Sequence, residues 1–584
     1  MFLWYICNIN IIKGWEVHKS HPEGETMKKT IIVAGAAGEG INTVELFIEK
    51  ILKKSGYEIF SYKNYMSRVR GGYNYSTIVV SDERVFATVE EADIFIALNQ
   101  EAHNSAQVQL AKGGLLITEE EISDQAKIEN VLSFTKEKFP EEIKGKNAFS
   151  MAAVGVVLKH FGVEADLLED VSNKKWKDEV NRENQKAVAW GYEQIKSELV
   201  PKVNHQKRML VGGNQAVALG ALSAGLSFYS AYPMAPSTGI MTFLSTYEKE
   251  MNIIVEQTED EIAGIMAAVG ASSNGVRAMT GTSGGGFALM VETIGFAAVS
   301  ETPIVICNVQ RPGPATGLPT RTEQADLAFV VTASQGEFSR IVLAPLTVED
   351  AFYVTHRAFN LADKYQVPVI ILTDQLLADS TQSIPSFETK DLTIDRYLKT
   401  EIEADYKRYD FDNVFGNRKY PGIDAETLVM TDSHVHDPYG HVTEEETATI
   451  ALKQKFLKRT EAIKAESKAP LFKGVEDYKT LFITWGSTYG ALSEAVDALI
   501  LKGEKVALLA FSDVFPIKKD VLTPYIKSDT TIINVEGNAM NQFGMLLRME
   551  TGVMFNQSIN KYDGRPFTAK FIELEYEVIK NGQR

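Results

Sequence analysis

The chain has 584 residues, 45% of them hydrophobic, and a formal net charge of −17, with a pI near 5.2. Its length suggests about three or four domains, and so acidic a surface disfavours nucleic acid and anionic membranes as partners. Cys7 and Cys307 are its only cysteines, too few for a disulfide framework or for an iron–sulfur cluster held by this chain.

Residues 1–12 are apolar but lack a basic start and a small-residue cleavage site, so no signal peptide is expected. They are also too few to span a bilayer. Met27-Lys-Lys-Thr opens a clean strand; Met27 is expected to be the start, with 1–26 disordered, and a cytoplasmic location follows. No repeat of solenoid period is evident. The first block, 27–200, reads as strands at 30–34, 57–62, 75–80, 93–98 and 114–118 with helices at 42–54, 150–160 and 179–199. That alternation predicts a mainly parallel sheet covered on both faces. After a basic joint at 201–208, the second block, 205–385, carries buried-strand runs at 253–256, 275–279, 303–309, 340–344 and 367–373. Residues 386–472 read as an extended connector with one helix, opened by Thr443-Glu-Glu-Glu446 as a capping box. The last block, 473–584, shows strands at 480–485, 506–511 and 531–535, and helices at 489–501 and 541–549. The fold class expected is α/β, in three successive domains.

Four segments carry chemistry. Tyr232-Pro-Met-Ala-Pro-Ser-Thr238 follows a short apolar run and precedes helical periodicity, so its prolines stiffen a sheet edge where open α/β folds bind ligands. Thr258-Glu-Asp-Glu261 opens a helix with an apolar stripe at Ile262, Ile265, Met266 and Val269, and a small-residue face at Ala263, Ala267, Gly270 and Ala271. On spacing alone Glu261 completes a capping box with Thr258; the alternative is a desolvated acid with a raised pKa. Gly281-Thr-Ser-Gly-Gly-Gly286 either presents backbone N–H groups to an anion or lets a helix pack closely. Arg311 emerges from a buried strand, and needs either an ion pair at the sheet rim or a ligand carboxylate.

These segments, in this order, resemble the α subunits of 2-oxoacid:ferredoxin oxidoreductases. Tyr232-Pro-Met-Ala-Pro-Ser237 resembles the family's Tyr-Pro-Ile-Thr-Pro-Ser. Gly313-Pro-Ala-Thr-Gly-Leu-Pro-Thr-Arg-Thr-Glu-Gln324 resembles Gly-Pro-Ser-Thr-Gly-Leu-Pro-Thr-Lys-Thr-Glu-Gln and is the most specific motif in the chain. The resemblance implies thiamine-diphosphate-dependent oxidation of a 2-oxoacid with coenzyme A to acyl-CoA and CO₂, with electrons passed to ferredoxin. It implies Glu261 as the acid hydrogen-bonded to the cofactor's aminopyrimidine, with Ser283 and Gly284 beside the cofactor. It implies Arg311 and Thr320 at the substrate, lined by Tyr232, Ala235, Pro236 and Ser237. Ala235 stands where the family has a threonine that touches substrate, so either the substrate differs or Ser237 or Thr238 compensates. A fused γ–α layout implies 2-oxoglutarate or a broad range of acids.

In the first block, Gly35-Ala-Ala-Gly-Glu-Gly40 has the wrong spacing for a dinucleotide fingerprint. It resembles the γ subunit's Gly-x-Gly-Gly-Gln-Gly, and Ser67-Arg-Val-Arg-Gly-Gly72 its Ser-Arg-Ile-Arg-Gly-Gly. Gly35, Gly38, Gly40, Arg68, Arg70 and Gly71 therefore form either a coenzyme A site or a domain interface. His434-Val-His-Asp-Pro-Tyr-Gly-His441 has zinc-like spacing, but the family carries a similar metal-free segment. Trp485-Gly-Ser-Thr488 and Val535-Glu-Gly-Asn538 match segments of the family's transketolase-C-like domain, and are expected to stabilise domain contacts or frame the substrate entrance. The family's Gly-Asp-Gly…Asn motif for Mg²⁺ and diphosphate does not occur here. A β subunit is therefore expected to supply diphosphate, Mg²⁺ and a [4Fe-4S] cluster, and the chain alone is expected to be inactive. The alternatives are a regulatory or scaffold subunit of the same fold, or a nicotinamide-dependent dehydrogenase.

Overall fold

The computed structural model describes residues 27–67, 71–119, 128–143, 145–196, 207–401, 403–416 and 418–582. The expectations for 1–26, for Arg68 and Arg70, and for 201–206 of the joint lie outside these residues.

Three sheets organise the chain. The first has eight strands, in the order Val131–Phe134, Leu110–Glu119, Ala92–Ala97, Lys28–Ala37, Gly71–Ser81, Glu58–Asn64, Ser380–Ile384 and Met209–Gly212. Its first four strands pair in parallel. The remaining pairs are antiparallel. Among the strands of the first block itself three of five pairs are parallel, as the mainly parallel reading expects, and the exceptions both involve Gly71–Ser81. The cause is local. The link between Glu58–Asn64 and Gly71–Ser81 is far too short for a parallel crossover and long enough for a hairpin. The outer two strands of this sheet come from the second block of sequence, so the blocks interlock.

The second sheet has seven strands, in the order Asp513–Phe515, Ile341–Leu343, Pro368–Asp374, Ile304–Gln310, Ala278–Thr282, Phe228–Ala231 and Ile254–Gln257. All pairs are parallel except the outermost, which the last block donates. Ile304–Gln310 and Pro368–Asp374 are buried at every position, as strands covered on both faces must be. The expected strand 275–279 begins later, at Ala278. Gly275 adopts φ +91° in a turn, and the preceding Arg277 is buried in an ion pair with Asp363 at 2.9 Å. Helix Val348–Tyr365, which the sequence reading omitted, is capped by Thr347, whose hydroxyl accepts from Asp350 N at 3.1 Å. The third sheet runs Leu471–Gly474, Val506–Phe511, Thr480–Trp485, Thr531–Glu536 and Gln557–Asn560.

The connector's helix spans Glu446–Glu466, with Glu445 as its N-cap. The capping box does not form, because the Thr443 hydroxyl accepts instead from Glu445 N at 3.2 Å. Buried ions pin this helix to the second sheet. Glu301 pairs with Lys455 at 2.7 Å and Arg459 at 2.8 Å. Burial alone would raise the Glu301 pKa, but Arg459, Lys455 and Arg408 hold it down to about 2. Among the described residues, no helix is long and apolar enough to cross a membrane.

Candidate active site

Glu261 is the first residue of helix Glu261–Ser273, at the carboxyl edge of the second sheet. The capping-box reading is corrected by the geometry. Asp260 is the N-cap, its Oδ1 accepting from Ala263 N at 2.8 Å, while Thr258 Oγ1 donates to the Asp260 carbonyl at 2.9 Å. Glu261 is thus not needed as a cap, yet it is only 3% exposed, and its Oε1 is buried with no hydrogen-bond partner among the described residues. Burial raises its pKa, favouring the neutral acid. An unpaired buried carboxyl oxygen costs about 1–3 kcal/mol, so it marks a position built for something else.

The helix faces also differ from expectation. Ile265 and Val269 are buried, but Ile262 and Met266 are 46% and 44% exposed. The inward face is Gly264, Ile265, Ala268, Val269 and Ser272. Gly264 lies over Ala231, where an added Cβ would sit 3.2 Å from the Ala231 Cα. Close helix-on-strand packing thus uses Gly264, and the predicted small face of Ala263, Ala267 and Gly270 points outward.

The glycine run is a hub. A Cβ on Gly286 would lie 2.5 Å from Glu261 Oε1, and one on Gly284 would lie 2.5 Å from an Asp326 carboxylate oxygen. Both positions keep space beside an acid. The Ser283 hydroxyl donates to Met234 Sδ at 2.8 Å, joining this loop to the 232–238 segment. There Tyr232 is 39% exposed. The Pro236 carbonyl accepts from Asn214 Nδ2 at 2.9 Å, and the Ser237 hydroxyl donates to the Met234 carbonyl at 2.8 Å. The proton of the Ser237 hydroxyl is therefore engaged within its own turn.

Arg311 Nη1 donates to the Ala235 carbonyl at 2.8 Å. No ion pair holds it among the described residues, so the sheet-rim alternative does not form. Asp326 lies near enough for charge interaction. Burial pushes the Asp326 carboxyl up to about 6, against the Asn308 hydrogen bond and Arg311. Asp326, Asn308, Gln310 and Asn214 were not singled out as site residues in the sequence. Asp326 falls two positions beyond the motif's end, and the amides carry no spacing signal.

The 313–324 loop begins exposed and ends buried. Gly317 adopts φ +51°, and any Cβ there would strike the Pro312 carbonyl. Thr320 is half-buried, and its hydroxyl makes no hydrogen bond among the described residues. Arg321 reaches into the first sheet's region, donating to Asn64 Oδ1 and to the Tyr65 carbonyl. Gln324 is the anchor. Its Oε1 accepts from Thr488 Oγ1 at 2.7 Å and Gly537 N at 3.0 Å, and its carbonyl accepts from Asn538 Nδ2 at 3.0 Å. The 485–488 and 535–538 segments thus make domain contacts at the base of this loop.

In the first region, Gly38 and Gly40 have φ +96° and +97°, and Gly40 precedes helix Ile41–Lys54 without a side-chain cap. Glu39, which departs from the family's glutamine, folds back, its Oε2 accepting from Ala36 N and Asn99 Nδ2, each at 2.7 Å. A cavity of about 600 Å³ opens here, lined by Gly38, Gly40, Lys63, Asn64, Tyr65 and Tyr75 among others. Gly35 and Gly71 do not line it; Gly35 instead packs against Leu98. At this helix start Thr43 N and Val44 N already donate to the Gly40 carbonyl at 2.9 and 3.1 Å, Lys63 pairs with the buried Glu45 at 3.4 Å, and Asp379 also lines the cavity. What the cavity offers an anion is the remaining first-turn N–H groups and the Lys63 ammonium. In the connector, the His436 ring lies tilted against Tyr409, with centroids 4.0 Å apart, and His441 Nδ1 meets Asp437 at 3.1 Å. Among the described residues no three His, Cys, Asp or Glu side chains converge as metal ligands.

Comparison with known proteins follows the same lines. Residues 219–481 match the family described as pyruvate flavodoxin/ferredoxin oxidoreductase, thiamine diphosphate-binding. Residues 30–194 match pyruvate ferredoxin/flavodoxin oxidoreductase. The chain is 31% identical to the 2-oxoacid:ferredoxin oxidoreductase subunit alpha of a Sulfolobus species, over 96% of this chain and 98% of that one. It is 32% identical to the 2-oxoglutarate synthase subunit KorA of Archaeoglobus fulgidus, over 56% of this chain and 88% of that one. Among solved structures it is similar to 2-oxoglutarate:ferredoxin oxidoreductase from Magnetococcus marinus, with 2-oxoglutarate, coenzyme A and succinyl-CoA bound. The TM-score is 0.88 and the identity 30%, covering 95% of this chain and 99% of that chain. With its motifs, its three sheets and its full-length relatives in agreement, this chain belongs to the family of 2-oxoacid:ferredoxin oxidoreductase alpha subunits.

Proposed function

We propose that this chain is the α subunit, with a fused γ-type region, of an enzyme that oxidises 2-oxoglutarate with coenzyme A to succinyl-CoA and CO₂. The two electrons released leave one at a time to ferredoxin through a cluster on a β subunit. The observation that carries the reading is the unpartnered, buried Oε1 of Glu261 beneath Gly286. A neutral or proton-sharing acid at that place fits the ring nitrogen of an aminopyrimidine, and a side chain at 286 would fill the space. Thiamine diphosphate, bound there, supplies the nucleophilic carbon and the electron sink for decarboxylation.

The chain's own residues do the rest. Glu261 holds the proton at Oε1 and orients the pyrimidine. Arg311, fixed by the Ala235 carbonyl, turns its remaining donors to the carboxylate of the 2-oxoacid. Thr320 lies on the same loop and offers its hydroxyl. Tyr232, Ala235 and Pro236 form the neighbouring wall, and Ser283 and Gly284 border the ring. The first-region cavity takes the anionic part of coenzyme A against Gly38, Gly40 and Lys63. The β subunit docks over the outward side chains Ile262 and Met266 and brings diphosphate, Mg²⁺ and cluster. The test is to co-purify the chain with its native β partner. Viologen or ferredoxin reduction is then measured across a panel of 2-oxoacids plus coenzyme A. Fastest turnover on 2-oxoglutarate supports the reading; turnover by the chain without a partner overturns it.

A further inference from the structure

Two arginines bracket the substrate loop. Arg311 ties its start to the Ala235 carbonyl. Arg321 ties its far end to the first region, through Asn64 Oδ1 and the Tyr65 carbonyl. Between them residues 313–318 are exposed, held mainly by a Leu318 N–H bond to the Pro312 carbonyl at 3.1 Å. Beyond Arg321 the chain is fixed, since Thr322 Oγ1 accepts from Leu376 N at 3.1 Å and Gln324 is clamped. Arg321 is thus the last adjustable tether of the segment that carries Thr320.

Its partners are not inert. Asn64 and Tyr65 line the 600 Å³ cavity. Asn64 Nδ2 donates in turn to the Tyr75 hydroxyl at 2.9 Å, and Tyr75 lines the cavity too. The Tyr65 hydroxyl accepts from Gln375 Nε2 at 3.1 Å, and Gln375 also bonds Asp379 at 2.6 Å. The cavity wall is therefore one hydrogen-bonded unit, and the Arg321 guanidinium is part of it.

We propose that Arg321 is a positioning residue that couples occupancy of the first-region cavity to the order of the 2-oxoacid site. A ligand seated against Asn64 and Tyr65 fixes the acceptors that hold Arg321. The loop from 311 to 321 is then held at both ends, and the oxoacid no longer bears the ordering entropy of that loop. By reciprocity the oxoacid favours the cavity ligand by the same factor. This rests on the reading that coenzyme A occupies the cavity.

The experiment uses the intact complex with its partner. A 2-hydroxy acid analogue of the 2-oxoacid that supports turnover replaces the substrate, so no reaction occurs. Titration calorimetry gives the Kd of coenzyme A with and without saturating analogue. We expect the wild type to bind coenzyme A at least roughly fivefold more tightly with analogue present. Arg321→Gln should abolish that ratio while still binding each ligand alone. Asn64→Ala cuts the same bond from the cavity side, where Asn64 also lines the ligand's wall. It should abolish the ratio too, whatever it does to the Kd of coenzyme A alone, and the double variant should change the ratio no further. A ratio near one in the wild type, or a ratio retained in Arg321→Gln, overturns the proposal. Lys63→Met separates the two readings. If it leaves the coenzyme A Kd unchanged, the cavity is not the coenzyme A site, and the underlying assignment fails along with the coupling.

Discussion

Glu261→Gln separates a catalytic acid from a helix cap. The cap at this helix is Asp260, whose carboxylate accepts from Ala263 N, so the amide at 261 disrupts no capping bond. Two terms are both small. Burial already favours the neutral acid, so whatever charge is lost at this helix N-terminus costs at most about 1 kcal/mol. The amide keeps a polar atom where the unpartnered carboxyl oxygen stood, so that penalty of about 1–3 kcal/mol is carried over nearly unchanged. The net change in stability should stay within about 1 kcal/mol, a melting shift of no more than ~2 °C in a chain this long. Activity should behave differently. Loss of a positioned acid typically removes about 10²–10⁴-fold in rate, and viologen reduction by the complex should fall by that much. Asp260→Ala gives the complementary result. It removes the cap at a cost of about 1 kcal/mol, and should lower the melting point while most activity survives. The reasoning is refuted if Glu261→Gln keeps more than about a tenth of the wild-type rate. It is equally refuted if Asp260→Ala is as inactive as Glu261→Gln.

Other outcomes follow from the same geometry. Arg311→Met should lower kcat/KM for the 2-oxoacid roughly 10- to 150-fold, the worth of charge-assisted hydrogen bonds, mostly through KM; steady-state kinetics across substrate concentration decide it. Glu301→Gln leaves Lys455, Arg459 and Arg408 without their buried anion. It should destabilise the complex by about 3–5 kcal/mol, read as a lower denaturant midpoint. Asp326 titrates near 6 when folded, against an ordinary value of 3.8. Its folded pKa is raised, so the unfolded chain loses that proton first, and stability falls as pH rises from about 4 to 6 and then levels off. The full effect is about 3 kcal/mol at most. Asp326→Asn should remove that slope, and melting curves of both proteins at pH 4.5, 5.5 and 6.5 test it (pH values chosen about the transition).

Much of the catalytic edge is legible in the sequence because its residues sit at strand ends that announce themselves. Ile304–Gln310 is an unbroken apolar run, so the charge that follows it, Arg311, stands out. Glu261 was visible but its neighbourhood was not. Thr258 and Glu261 have capping-box spacing, yet Asp260, one residue before the helix, takes the N-cap position. The stripe of Ile262 and Met266 read as core because periodicity reports which face is apolar and not what covers it. The first sheet escaped for another reason. Strand Ser380–Ile384 and strand Met209–Gly212 are short and far apart in sequence, and nothing local says that they pair with each other and with Glu58–Asn64. Hydrogen bonds across more than two hundred residues, such as Gln324 to Gly537 and Arg321 to Asn64, are products of the assembled fold and leave no spacing to read.

The way the first sheet is finished decides where this polypeptide can be cut. Its hairpin strand Glu58–Asn64 is covered along its outer side by Ser380–Ile384. A fragment ending near residue 196 would bare that rim, with Phe60 and Tyr62 among the side chains flanking it, inviting adhesion between copies. A soluble amino-terminal piece would have to carry a substitute for the missing ribbon. Joining the two regions in one molecule keeps that ribbon permanently at hand, so the rim is closed at any protein concentration.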